Sequence, residues 1–115
     1  MTGATGFIGP YLIRRLLYEG DICRCLVRSD SDISDLKMNN VEMVTGDITR
    51  PETLKGLGDG ADCLVHMATL GHMSNYRFTE TMFHAVNVQG TINIIQEAMR
   101  AGVGKVVHCL SLIHI

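Results

Sequence analysis

The 115-residue sequence has no apolar run near the length of a bilayer span, so no membrane association is expected. It has no basic stripe and no acidic tail. Its 10 basic and 12 acidic side chains are scattered, with a formal net charge of -2, which argues against a nucleic-acid partner. No segment repeats, none is of low complexity, and no linker divides the chain, so one continuous unit is expected. No leader precedes the first motif, because Met1 runs straight into a glycine turn, and the expected compartment is the cytosol. Metal-type cysteine pairing is also missing. Cys23 and Cys25 stand two apart with no second pair, and Cys63 and Cys109 are solitary. All four lie in apolar, strand-like runs and read as buried thiols. His72 and His84 have no cysteine or carboxylate at ligand spacing, and no metal site is expected. His66 and His108 read as packed strand residues, and Met67, Met73 and Met82 as core filler.

What is present is an alternation of short β-branched runs with longer stretches of helical periodicity. Ile8, Leu12, Ile13, Leu16 and Leu17 recur at helical spacing, predicting a helix over Phe7 to Glu19 that Gly20 stops. Strands are predicted at Ile22 to Val27, Val41 to Thr45, Ala61 to Met67 and Lys105 to Leu110. Short helices are predicted at Ser34 to Met38 and Pro51 to Leu57. A long one over Phe78 to Ala101 has the inner row Phe78, Met82, Val86, Gly90, Ile94 and Ala98, with Gly102 as its cap. Strands separated by helices imply right-handed crossovers and a parallel sheet, an α/β fold of the doubly wound kind. That sheet reads as incomplete. Only Met1 precedes Thr2, where a first strand belongs, and the chain stops just past the last one.

The most informative motif is Gly3-Ala4-Thr5-Gly6-Phe7-Ile8-Gly9, a G-x-x-G-x-x-G spacing that opens the first helix. Gly3 permits a tight turn, Gly6 lets backbone approach a pyrophosphate, and Gly9 allows the helix to pack close to the sheet. The helix N-terminus supplies free N–H groups and positive dipole to an anion. Arg28 lies at the end of the next strand, where an acid would hold ribose hydroxyls. An arginine there pairs with a 2′-phosphate instead, which favours NADP over NAD.

With these residues in order, the chain resembles the extended short-chain dehydrogenase/reductase superfamily, the NAD-dependent epimerase/dehydratase family. Thr2-Gly3-Ala4-Thr5-Gly6-Phe7-Ile8-Gly9 is similar to the family's glycine turn. Gly46-Asp47-Ile48 resembles its G-D-[IL] motif, Val65-His66-Met67-Ala68-Thr69 its V-H-x-A-[AG] segment, and Asn87-Val88-Gln89-Gly90-Thr91 its N-V-x-G-T helix motif. Lys105 to Ser111 resembles the strand that ends in the catalytic Ser or Thr. Leu26-Val27-Arg28-Ser29-Asp30-Ser31-Asp32 resembles the dihydroflavonol-reductase-like members, which use NADP.

The resemblance implies a Rossmann-type fold in which residues 1–115 are part of an NAD(P)-binding domain and the substrate domain is absent. It implies cofactor contacts from Gly3, Thr5, Gly6, Phe7, Ile8, Gly9 and Arg28. Asp47 would lie at the adenine amino group and Ile48 on the ring, and the backbone of Met67, Ala68 and Thr69 would run along the cofactor. For Asp47 the residues themselves also allow a plain cap of the turn before Thr49, and for Asn87 a purely structural role. Ser111 is the expected orienting serine, although Cys109-Leu110-Ser111-Leu112-Ile113 departs from the family pattern there. The family's acid/base tyrosine carries a lysine four residues on. Tyr11, Tyr18 and Tyr76 carry none, so turnover by this chain alone is not expected. The isolated chain is expected to bind nucleotide weakly or not at all. The whole protein is expected to act on a small carbonyl, hydroxyl or nucleotide-sugar substrate, as a homodimer. A different class, a non-catalytic NAD(P)-binding redox sensor, is the alternative.

Overall fold

The computed structural model describes residues 1–71 and 78–110. Helix α1, Gly9–Tyr18, is followed by strand β1, Cys23–Val27, and strand β2, Val41–Thr45. Strand β3, Cys63–His66, leads to α2, Glu80–Phe83, a π-helical turn at His84–Gln89, α3, Gly90–Ala101, and strand β4, Lys105–His108. β1 pairs with β2 and β3 with β4, both in parallel. The expected strands and their order are therefore present, β2 at its expected bounds and the others shortened at their ends.

The first strand is almost absent, as expected, yet its position is filled. Met1 accepts from the Leu26 amide at 2.9 Å. Thr2 donates to Val65 at 2.9 Å, accepts from Met67 at 3.3 Å and forms a parallel bridge with His66. Two residues thus join the two pairs of strands in the order β2, β1, Met1–Thr2, β3, β4. Ladder bonds need only backbone, so a two-residue strand suffices to carry the join.

Both faces of β1 are covered. Cys23, Cys25 and Val27 pack with Ala4, Ile13 and Leu36 on the α1 side. Leu26 packs with Ile48, Leu54, Leu64, Ile94 and Ala98 on the α3 side. This is why β1 reads as a continuous apolar run. β4 differs: all four residues are exposed. Cys63 and Cys109 are exposed too, against the expectation of buried thiols, and so is His108. An apolar strand is buried on a face only where a helix covers it, and no described helix covers these positions.

The long helix departs from the expected single α-helix. Thr79 caps it, accepting from the Met82 amide at 3.2 Å, and its second turn is a π-turn. Of the expected inner row, Gly90, Ile94 and Ala98 are buried, Val86 is half-buried and Met82 is exposed. Gly102 ends the helix at φ +71°, the left-handed conformation that a residue without Cβ takes without strain. The helix expected at Pro51 to Leu57 shrinks to a 3-10 turn at Pro51–Thr53. There the Thr53 hydroxyl bonds the Asp47 and Arg50 backbone and competes with helical pairing. The segment at Ser34–Leu36 is likewise a 3-10 turn.

Two polar residues on α3 lie in the interior. Asn93 donates to the Ile48 carbonyl at 2.7 Å. Glu97 accepts from the Gly58 amide at 3.0 Å and from Arg100 at 2.8 Å, and these contacts hold its carboxyl below the usual range. Arg100 also reaches Asp59 at 2.5 Å. Glu97→Ala is expected to destabilise the fold by about 2 kcal/mol, because it strips a buried donor and a cation of their acceptor. Glu97→Gln, which keeps the acceptor for Gly58, should lose less. A urea midpoint for each variant checks both.

Candidate functional site

The glycine turn sits where the strand order reverses. Met1–Thr2 has β1 on one side and β3 on the other, and α1 and α3 cover opposite faces. In open α/β sheets ligands bind at the carboxyl ends of the strands at such a point. Gly3 is at φ +74°, and a Cβ there would lie 2.7 Å from the Ala68 nitrogen and from the Met67 carbonyl carbon. The turn therefore lies directly against the segment that leaves β3. The Gly6 amide closes the turn onto Gly3 O at 3.1 Å. A Cβ on Gly6 would meet only Gly3 O, at 3.3 Å, and otherwise open space. Thr5, Gly6, Phe7 and Ile8 are all exposed around the start of α1, whose N-terminus carries no side-chain cap. The residues thus fit a phosphate: an open backbone approach beside uncapped helix N–H groups.

At Gly9 the nearest neighbour is the turn itself. A Cβ there would lie 2.7 Å from Gly3 O, with the Ala4 carbonyl oxygen closer still. The glycine thus brings the helix against the turn's own backbone.

A cleft of about 430 Å³ opens beside the ends of β1 and β2, lined by Arg28, Ser29, Thr45, Asp47, Arg50 and Thr53, among others. Arg28 and Arg50 are exposed, each 3.8 Å from one carboxylate, Asp30 and Glu52 respectively. Sequence reasoning found Arg28 and missed Arg50. The only available signal was its place two residues past the G-D-[IL] motif. Asp47 accepts from the Thr49 amide at 2.9 Å and the Thr49 hydroxyl at 2.8 Å, so it caps the local turn and also lines the cleft. Ile48 is buried, with its side chain against Gly90.

The segment after β3 is tied down by side chains. Met67 and Ala68 donate to Thr2 Oγ1 at 3.2 and 3.1 Å. Asn87 takes Thr69 Oγ1 at 2.9 Å and the Leu70 amide at 2.8 Å on its Oδ1, and donates to Leu70 O at 3.0 Å. His66 is 1% exposed, and burial pushes its pKa down to about 4, helped by the His108 ring 5.0 Å away and the Met1 amino group. Ser111, His72, Met73 and Tyr76 lie outside the described residues. Among the described residues no three His, Cys, Asp or Glu side chains are grouped to hold a metal, and no helix is long and apolar enough to cross a membrane.

Residues 1–114 match the 3-beta hydroxysteroid dehydrogenase/isomerase family. The chain belongs to that family. It is accordingly a member of the short-chain dehydrogenase/reductase superfamily, with the Rossmann-type fold expected from its motifs. Sterol demethylase protein B of Methylococcus capsulatus is 37% identical over 96% of this chain and 33% of its own length. A putative dihydroflavonol 4-reductase of Synechocystis is 33% identical over 97% of this chain and 32% of its own length. The structure of the dTDP-glucose 4,6-dehydratase DesIV of Streptomyces venezuelae, bound to NAD, is similar at a TM-score of 0.80. It is 32% identical, over 93% of this chain and 37% of DesIV. The chain spans about a third of the length of the curated relatives it matches.

Proposed function

We propose that these residues are the nicotinamide-dinucleotide-binding part of a longer NAD(P)-dependent oxidoreductase, epimerase or dehydratase. Its substrate would be a small molecule with a carbonyl or hydroxyl group, or a nucleotide sugar. The observation that carries this reading is the open glycine turn at the reversal of strand order, abutting Met67 and Ala68. The backbone of Gly3, Thr5, Gly6, Phe7, Ile8 and Gly9 would hold the pyrophosphate. Asp47 would meet the adenosine end of the cofactor at the cleft, with Ile48 behind it, and Met67, Ala68 and Thr69 would run along the rest. The cofactor supplies hydride transfer when bound. The protein's own contribution here is to bind and orient. Ser111 would orient the substrate oxygen, and the proton-transfer groups would lie beyond these residues.

NADP is the favoured cofactor. Two guanidinium groups, Arg28 and Arg50, border one cleft, and among the described residues each has a carboxylate ion-pair partner no nearer than 3.8 Å. A 2′-phosphate would gain charge-assisted hydrogen bonds there. NMR titration of the 115-residue chain with adenosine 2′,5′-bisphosphate and with ADP tests both parts. Weak binding is expected, with shifts at Gly3 to Gly9 for both ligands and tighter binding of the 2′-phosphate. Arg28→Ala should weaken the 2′-phosphate ligand about tenfold and leave ADP unchanged. No shifts at the turn would overturn the cofactor reading. Equal affinity for the two ligands would overturn the NADP preference alone.

A further inference from the structure

Thr2 Oγ1 lies 2.6 Å from His66 Nδ1, and His66 Nε2 lies 3.0 Å from Thr91 Oγ1. A hydroxyl has one proton and two lone pairs. The Ala68 amide and the Met67 amide, the latter shared with the Thr2 carbonyl, both point at lone pairs of Thr2 Oγ1, so its proton goes to His66 Nδ1. That nitrogen is then an acceptor, and in a neutral ring the proton must sit on Nε2. Thr91 donates its own proton to the Asn87 carbonyl at 2.8 Å and so accepts from Nε2–H. This arrangement gives each of these contacts one donor and one acceptor.

We propose that Thr2, His66 and Thr91 form a one-directional hydrogen-bond relay in which His66, held as the neutral Nε2–H tautomer, is a positioning residue for the cofactor-facing backbone at 67–70. The importance of that backbone for binding rests on the cofactor reading above; the relay itself does not. The relay runs from the Met67 and Ala68 amides through Thr2 and His66 to Thr91 and the Asn87 carbonyl. The Asn87 side chain then grips Leu70 from the other end. One ring therefore ties the residue before the glycine turn, the end of β3 and the long helix to the two ends of one short segment. A protonated ring would aim Nδ1–H at the hydroxyl proton of Thr2, whose lone pairs are already taken. The groups facing the ring that carry or gain charge are His108 and the Met1 amino group, and both oppose a cation there.

The test is ring-nitrogen NMR on the 115-residue chain with labelled histidine. His66 should show a pyrrole-type Nε2 and a pyridine-type Nδ1 across pH 5.5 to 8. An Nδ1–H tautomer, or a ring that titrates at the ordinary histidine value, would overturn the relay. Thr2→Val should release the tautomer and speed hydrogen exchange at the Ala68 amide roughly tenfold, with Met67 still held by the Thr2 carbonyl, while Thr2→Ser restores both the tautomer and the Ala68 protection. Unchanged exchange in Thr2→Val would overturn the positioning role. Should Thr2→Val fail to fold, Thr91→Val reads the other end, with loss of the Nε2–H preference expected and its retention contrary. Binding of adenosine 2′,5′-bisphosphate should weaken in Thr2→Val and recover in Thr2→Ser. Wild-type affinity in Thr2→Val would overturn the link from relay to site. If the wild-type chain shows no shifts at the glycine turn, the cofactor reading fails while the tautomer and exchange results still decide the relay.

Discussion

Gly9→Ala is expected to destabilise the chain by about 3 kcal/mol, because its new methyl would fall on the Ala4 and Gly3 carbonyls. Neither is the end of a flexible side chain. Both are backbone atoms of the turn that α1 grows from, so relief means moving the helix away from the turn. Ile13 and its partners in the α1-side core would move with it. Gly6→Ala is the informative contrast. Its methyl meets only Gly3 O at 3.3 Å, and the stability change should stay within about 1 kcal/mol. The same methyl stands where a pyrophosphate would approach, so the nucleotide-induced shifts at Gly3 to Gly9 should vanish. Urea unfolding and NMR titration of the two variants separate folding from binding. A Gly9→Ala protein of wild-type stability would refute the packing argument. A Gly6→Ala protein that binds normally would refute the placement of the phosphate.

Acidification should weaken the fold through His66. The folded ring is held neutral, with its pKa pushed down to about 4, while the unfolded chain takes a proton at the ordinary value of 6.5. Between these values the unfolded state binds more protons, so stability rises with pH. The stability is present in full above about pH 6.5 and is lost as pH falls toward 4, by on the order of 3 kcal/mol. Asp32 and Glu97, held below the carboxylate range by the Ser34 amide and by Arg100, add their own losses at lower pH. Comparison with His66→Gln removes that common part. The variant should start less stable and show a shallower slope between pH 6.5 and 5. Parallel slopes in the two proteins would sink the assignment to His66.

Much of the architecture is legible in local pattern. β2 occupies Val41–Thr45 as expected, and β1 begins one residue later than expected. Alternating strand and helix periods reflect which faces of each element are covered, and that information is written every two or four residues. The same reasoning misplaced Cys63, Cys109 and His108, because an apolar run does not say whether a helix covers it. It missed Asn93 and Glu97, since a search for apolar rows passes over polar residues whose partners, Ile48 O and the Gly58 amide, come from distant loops. Arg50 escaped for the same reason: its membership in the Arg28 cleft depends on β1 and β2 lying side by side.

The glycine spacing, the order of elements and the family motifs were determined by the sequence alone, because each depends on residues close together along the chain. The tertiary structure alone decided three further things. Met1–Thr2 stands in for a first strand, Gly9 packs on the turn itself, and Thr2, His66 and Thr91 share one directed set of protons. Each depends on backbone or side-chain atoms that meet only when β1, β3 and the long helix are brought together. Hydrogen bonds and steric contacts act over a few ångströms of space, and separation along the chain does not record them.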